Sequence, residues 1–183
     1  MLVTIQEQKF SFAVKYDIET PHGPMFARKA LMSVPAKIEL SSGEDGPPIA
    51  TLQGEFSLLR SRFEFLFADG RAYQFECEKR LKQVYVCDGG DEHYRLIEHH
   101  GMRWSVFLAD RQIAAVTKSR MVVGDGNHFE IQMNSDADAA VIVSMVLAIN
   151  TASGDDRNRE SVTFDVGNIG PQEQAFDESW EPS

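Results

Sequence analysis

The chain has 183 residues, of which 43% are hydrophobic and 25% charged, a composition that suits one globular domain with a real core and excludes a wholly disordered chain. Its formal net charge of -10 is uneven: residues 1–152 carry 20 acidic and 16 basic side chains, whereas residues 153–183 carry 8 and 2. Nucleic-acid binding draws its affinity from counterions displaced by a basic face, so this balance argues against a nucleic-acid partner.

Met1-Leu2-Val3-Thr4-Ile5-Gln6-Glu7 has neither a basic leader nor an apolar run of signal-peptide length, so the reading is cytoplasmic. Phe10, Phe12, Val14 and Tyr16 then alternate with polar residues and predict a half-buried strand. Thr20-Pro21-His22-Gly23-Pro24 breaks the chain, and Met25–Met32 and Ala36–Leu40 read as strands. Residues 41–48 form a loop without packing capacity, followed by a strand over Ile49–Phe56 with a bulge expected at Gly54. Arg62–Phe67 and Arg71–Cys77 flank Asp69-Gly70, a pair that supplies the positive φ angles of a tight hairpin turn.

Further strands follow at Lys82–Cys87, Glu92–Glu98, Met102–Leu108, Gln112–Thr117, Met121–Val123 and His128–Met133. About twelve short strands with turn residues every eight to twelve positions predict a sandwich or a barrel. The period then changes. Asn134–Asp138 offers helix N-caps, and Ala139–Ile149 is apolar except for Ser144, with Asn150 and Gly154 placed to close the segment. A helix with no polar face must be surrounded, and this one is shorter than the roughly 20 apolar residues that span a bilayer. The expected fold is therefore mainly β: a closed antiparallel barrel of about twelve strands around a central, buried C-terminal helix at about 137–150. The expected domain is 1–152, and 153–183 forms an acidic extension. There Val162, Phe164 and Val166 alternate as one extra strand, and Phe176 and Trp180 sit among acids as a partner-binding or self-docking tail with a route to homo-oligomers.

Chemistry-bearing residues are sparse. Cys77 and Cys87 fit neither a disulfide framework nor a zinc knuckle and read as reduced thiols in strands. His99 and His100 point to opposite faces of a strand, and His93, on the face of His99, lies about 20 Å away, so all read as solvated strand-end side chains. His22 and His128 have no evident partner in the sequence. No nucleophile elbow, phosphate loop or zinc-hydrolase motif is present, and Asp88–Glu92 lacks the ligand spacing of a calcium loop. No catalytic residue, metal ligand or cofactor is therefore assigned. The basic residues Lys79, Arg80 and Lys82, with Lys118 and Arg120, are the candidates for holding a lipid phosphate, although Glu76 and Glu78 weaken the field of the first group.

The order of elements resembles the tubby C-terminal-like superfamily, in its LURP-one-related and phospholipid-scramblase-like branch. Tyr16-Asp17-Ile18-Glu19 with Gly23 is similar to that branch's early strand and turn, Asp69-Gly70 to its central hairpin, and Leu147-Ala148-Ile149-Asn150 to the end of its terminal helix. The resemblance implies a twelve-stranded barrel around a helix, and some relatives bind phosphoinositides. The sequence thus favours a non-catalytic binding or scaffold module for an unknown protein or lipid ligand. The alternative is peripheral binding of phosphoinositide or other anionic headgroups. A hydrolase with an unrecognised site comes last. Because the whole chain is acidic, the sequence predicts no binding to anionic vesicles.

Overall fold

The computed structural model describes residues 1–10, 13–30, 33–55, 62–79, 84–120, 126–157 and 174–183; the side chains of residues 120 and 153–157 are not described. Twelve strands run in chain order: β1 Leu2–Lys9, β2 Ala13–Glu19, β3 Met25–Ala30, β4 Lys37–Ser41, β5 Pro48–Gly54, β6 Arg62–Phe67, β7 Ala72–Lys79, β8 Val84–Gly89, β9 Glu92–His99, β10 Arg103–Leu108, β11 Arg111–Arg120 and β12 Asn127–Met133. Each pairs antiparallel with its sequence neighbour, and β12 closes on β1, so no edge is left open. One helix, α1, spans Ala139–Arg157.

Alternation decides which residues point inward. Val3 and Ile5 of β1, Tyr16 and Ile18 of β2, Phe63, Phe65 and Phe67 of β6, and Phe129 and Ile131 of β12 are all buried in one continuous core. Phe75 stacks between Phe65 and Tyr85, with ring centroids 5.5 Å from each. A barrel of about eight strands is filled by its own side chains, so twelve leave room for an α-helix about 10 Å wide. The helix takes that space: every residue from Val141 to Ala148 has no accessible surface.

Several local expectations change. Leu2–Lys9, unassigned from sequence, is the strand that closes the barrel, whereas the strand expected from Phe10 begins at Ala13. Met121–Val123 lies outside the described residues. The Asp69-Gly70 hairpin is present, but only Gly70 is left-handed, at φ 93°. Its N–H bonds Phe67 O at 3.0 Å and Phe67 N–H bonds Arg71 O at 2.9 Å, a longer turn than the two-residue form. Gly54 pairs in register; the register slips instead at Leu40/Ser41, Cys77/Lys79 and Val106/Phe107. Finally, the helix runs past both Asn150 and Gly154. Asn150 does not cap the helix because its side chain is bonded to the barrel wall.

Candidate functional site

The barrel interior is occupied, so recognition falls to the two ends and the outer wall. The pairing registers fix which connection belongs to which end. The connections after β1, β3, β5, β7, β9 and β11 leave at one end, together with the C-terminal half of α1. Those after β2, β4, β6, β8, β10 and β12 leave at the other.

The second end is built from polar turns. Its connections contain no Phe, Leu, Ile, Met or Val, and they carry Glu44, Asp45, Asp69, Asp91, Asp110, Asp136 and Asp138. Asp138 caps the helix: its Oδ1 accepts from the N–H of Ala140 at 2.9 Å and of Val141 at 3.1 Å. Its Oδ2 accepts from Arg71 Nη1 at 2.6 Å, and Arg71 Nε donates to Asp69 Oδ2 at 2.8 Å. Tyr73 lies against the same arginine and donates its hydroxyl to Glu92. Burial and the Glu92 carboxylate push the Tyr73 phenol up to about 12, and burial, then Glu92, raises that of Tyr94 as well. The arrangement fastens the helix start to the β6–β7 hairpin.

The first end has a buried polar knot beneath its connections. Glu7, on the inward face of β1, is 5% exposed. Its Oε2 accepts from the N–H of Asn127 at 2.9 Å and from Asn127 Nδ2 at 2.5 Å, and its Oε1 accepts from Asn150 Nδ2 at 3.1 Å. Asn150 Oδ1 in turn accepts from Lys118 Nζ and Asn127 Nδ2, each at 3.1 Å. Gly126 permits the contact, because a Cβ there would stand 2.0 Å from Glu7 O. The Tyr16 phenol, 3.3 Å from Asn150 Nδ2, is raised far above its ordinary value by burial and by Glu7. Phenols held protonated stabilise the fold up to their ordinary value near about 10. Above it the unfolded chain ionises first, so stability is expected to fall as pH rises from there toward about 12, where Tyr73 titrates in the folded chain. An alkaline absorbance titration beside thermal melts checks this; two or more of the four tyrosines ionising at the ordinary value in the folded chain would contradict it.

The rim of that end differs in kind from the acidic one. Phe10 is 50%, Val34 75% and Met102 41% exposed, and all three belong to its connections. Lys79 ends β7 at this end of the barrel, and Arg103 opens β10 directly after Met102. Lys118, taken from sequence as a lipid ligand, instead reaches into the knot, with its ammonium 5.2 Å from the Phe129 ring centroid. Arg80 and Lys82 lie outside the described residues, as does the side chain of Arg120. Lys79 and Lys118 do share one end, but β8, β9 and β10 separate their strands.

The remaining expectations resolve individually. Cys77 and Cys87 are buried free thiols, and burial raises that of Cys87. His99 is not solvated. It is 3% exposed, and its Nε2 pairs with Ser105 Oγ at 3.0 Å. His128 has partners too, Gln6 Oε1 at 3.2 Å and Glu130 Oε1 at 3.6 Å. Among the described residues no three His, Cys, Asp or Glu converge as a metal site. No described helix is long and apolar enough to cross a membrane. A cleft of about 450 Å³ on the outer wall between β2 and β5 is bounded by charges of both signs, with Lys15 Nζ 2.6 Å from Glu44 Oε1.

The tail returns to the barrel. Phe176 meets His99 edge-on, with centroids 5.2 Å apart, and Arg103 lies over its other face at 4.3 Å. The extra strand expected at Val162, Phe164 and Val166 lies outside the described residues. No family model, curated protein or solved structure matches the chain.

Proposed function

We propose that the chain is a non-catalytic binding module that docks on an anionic lipid surface through the end of the barrel that carries Phe10, Val34 and Met102. The observation behind this reading is the segregation of side chains between the two ends. Every strand-to-strand connection at the proposed docking end contains Phe, Leu, Met or Val, and their only acids are Glu55 and Asp125; the helix end that emerges there adds Asp155, Asp156 and Arg157. Parts of these connections fall outside the described residues and enter only by their place in the sequence between strands. Whole-chain acidity weighed against lipid binding, but the acids concentrated in the connections are at the far end. A charged protein is steered by its local field, and opposite charges within about 10 Å dominate at ordinary salt. Apolar side chains at a basic rim add the second component that stable peripheral binding requires.

The reading also fits the resemblance to the tubby C-terminal-like superfamily, which we carry forward as part of the same proposal. Its support is the closed twelve-strand barrel around a helix that contains Leu147-Ala148-Ile149-Asn150 and continues to Arg157. The occupied interior also favours an external ligand over one held in a lumen.

Sedimentation with vesicles tests the proposal. Binding is expected to phosphatidylcholine vesicles containing phosphatidylserine or a phosphoinositide and not to phosphatidylcholine alone, weakening as salt rises from about 0.05 to 0.5 M. Phe10→Ser with Met102→Ser should reduce binding at every salt concentration, and Lys79→Glu chiefly at low salt. No sedimentation with anionic vesicles at low salt would remove the lipid ligand.

A further inference from the structure

The tail crosses the outer wall of the barrel, from Arg103 at the margin of the proposed lipid-facing end to the β12–α1 connection. Residues 174–183 begin beside β9 and β10 and finish beside the β12–α1 connection. There Ser183 N donates to Asn134 Oδ1 and Ser135 N donates to Ser183 O, each at 2.9 Å. Between these points the segment is anchored by side chains. The guanidinium carbon of Arg103 lies over the Phe176 ring, 4.3 Å from its centroid, and Nη1 donates to Glu178 Oε1 at 2.5 Å. One arginine thus reads an aromatic ring and a carboxylate two residues apart, the carboxylate presented by the turn that runs from Asp177 to Trp180. His99 supplies the other wall for the phenyl ring.

Asp177 is engaged within the segment itself. Its Oδ1 accepts from Ser179 N at 2.9 Å and from Ser179 Oγ at 2.6 Å, which pre-shapes the bend that brings Trp180 back to the wall. A cleft of about 220 Å³ remains between segment and strands, with Arg103, Thr117, Glu130 and Gln132 on its barrel side. Glu130 sets a limit on acidity, because a carboxylate placed opposite it would be repelled. Ser105 is buried behind His99, to whose Nε2 its hydroxyl is bonded at 3.0 Å.

We propose that the outer face of β9 to β12 is a peptide-recognition site for a short acidic segment with Phe two residues before Glu. Its resident ligand is the chain's own tail. Every contact named here is made by residues 174–183 with the barrel, and a tether raises the local concentration of such a segment. The same sequence supplied separately must therefore find the same face, in competition with the tethered copy.

A fluorescein-labelled peptide of residues 174–183 tests this against the full chain by anisotropy. The full chain carrying Phe176→Ala and Glu178→Ala, whose own segment is weakened, is expected to bind the peptide saturably. The unaltered chain should bind at least about tenfold more weakly, because its tethered segment competes at an effective concentration on the order of millimolar. Arg103→Ala added to the tail variant should weaken the peptide at least about tenfold, and Arg103→Lys by less, because it keeps the charge but not the flat stacking face. If the double substitution disturbs folding, Glu178→Gln alone should give the same ranking with a smaller ratio. The proposal is overturned if a tail variant that melts like the unaltered chain shows no saturable binding. It is equally overturned if Arg103→Ala leaves the affinity unchanged, or if the altered and unaltered chains bind alike. Lipid is absent throughout, so failure here leaves the vesicle result untouched.

Discussion

Replacing Val143 or Leu147 with aspartate is expected to abolish the folded state. Both side chains have no accessible surface and lie in the middle of the helix that fills the barrel. A carboxylate there would have neither water nor a cation. Burying an unpaired charge costs several kcal/mol at the least, and a domain has only about 5–15 kcal/mol of stability in total. Protonation would lessen the penalty and leave a buried polar group against apolar walls. The effect should also spread. The helix is the central layer on which all twelve strands rest, so its loss leaves the inward faces of the sheet exposed together. Circular dichroism and thermal melting of soluble protein are the measurements. Two soluble variants with the parent's melting temperature would refute the enclosed position of the helix.

The second large effect is expected at the polar knot. Asn150→Ala removes one donor from the Glu7 carboxylate and the oxygen that accepts from Lys118 and Asn127. Glu7 and Asn150 are buried while Lys118 and Asn127 are half-buried, so water replaces the lost bonds only in part. Hydrogen bonds to a charged group are worth about 1.5–3 kcal/mol each, and a buried partner left unsatisfied adds its own desolvation cost. A loss of about 2–4 kcal/mol is therefore expected, against about 1 kcal/mol or less for a typical exposed position. Glu7→Leu provides the contrast. It strands the donors of Asn127 and Asn150 but removes the buried charge, so it should cost less than Glu7→Ala, which also opens a cavity. Urea unfolding of the three variants measures the order. If Asn150→Ala unfolds at the parent's midpoint, the knot does not hold the helix in the barrel.

Sequence pattern alone determined much of the fold because alternation and helical runs are local. Ile38 and Leu40, Phe63 to Phe67, and Phe129 to Met133 show period two whatever they pair with. Likewise, a run as apolar as Ala139–Ile149 cannot face water on any side. From those two facts the barrel around a helix follows, since a sheet with one apolar face and a helix with no polar face satisfy each other only by enclosure. The hairpin at Gly70 was equally readable, because the left-handed conformation it needs favours glycine.

What the tertiary structure alone decided involves partners far apart in the chain. Glu7 interrupts the inward set of β1 after Val3 and Ile5, so the strand is poorly marked in sequence. Its carboxylate accepts from residues 120 and 143 positions later. Lys118 looked like a surface cation for the same reason: its acceptor, Asn150, is supplied by the helix end, 32 positions on. The two ends of the barrel have opposite character because odd-numbered and even-numbered connections leave on opposite sides. That sorting is a consequence of closure and register, and net composition averages it away. Arg103 acquired its role in the same way. Nothing local to β10 distinguishes it, and only the return of a tail 75 positions away places a phenyl ring and a carboxylate on one guanidinium.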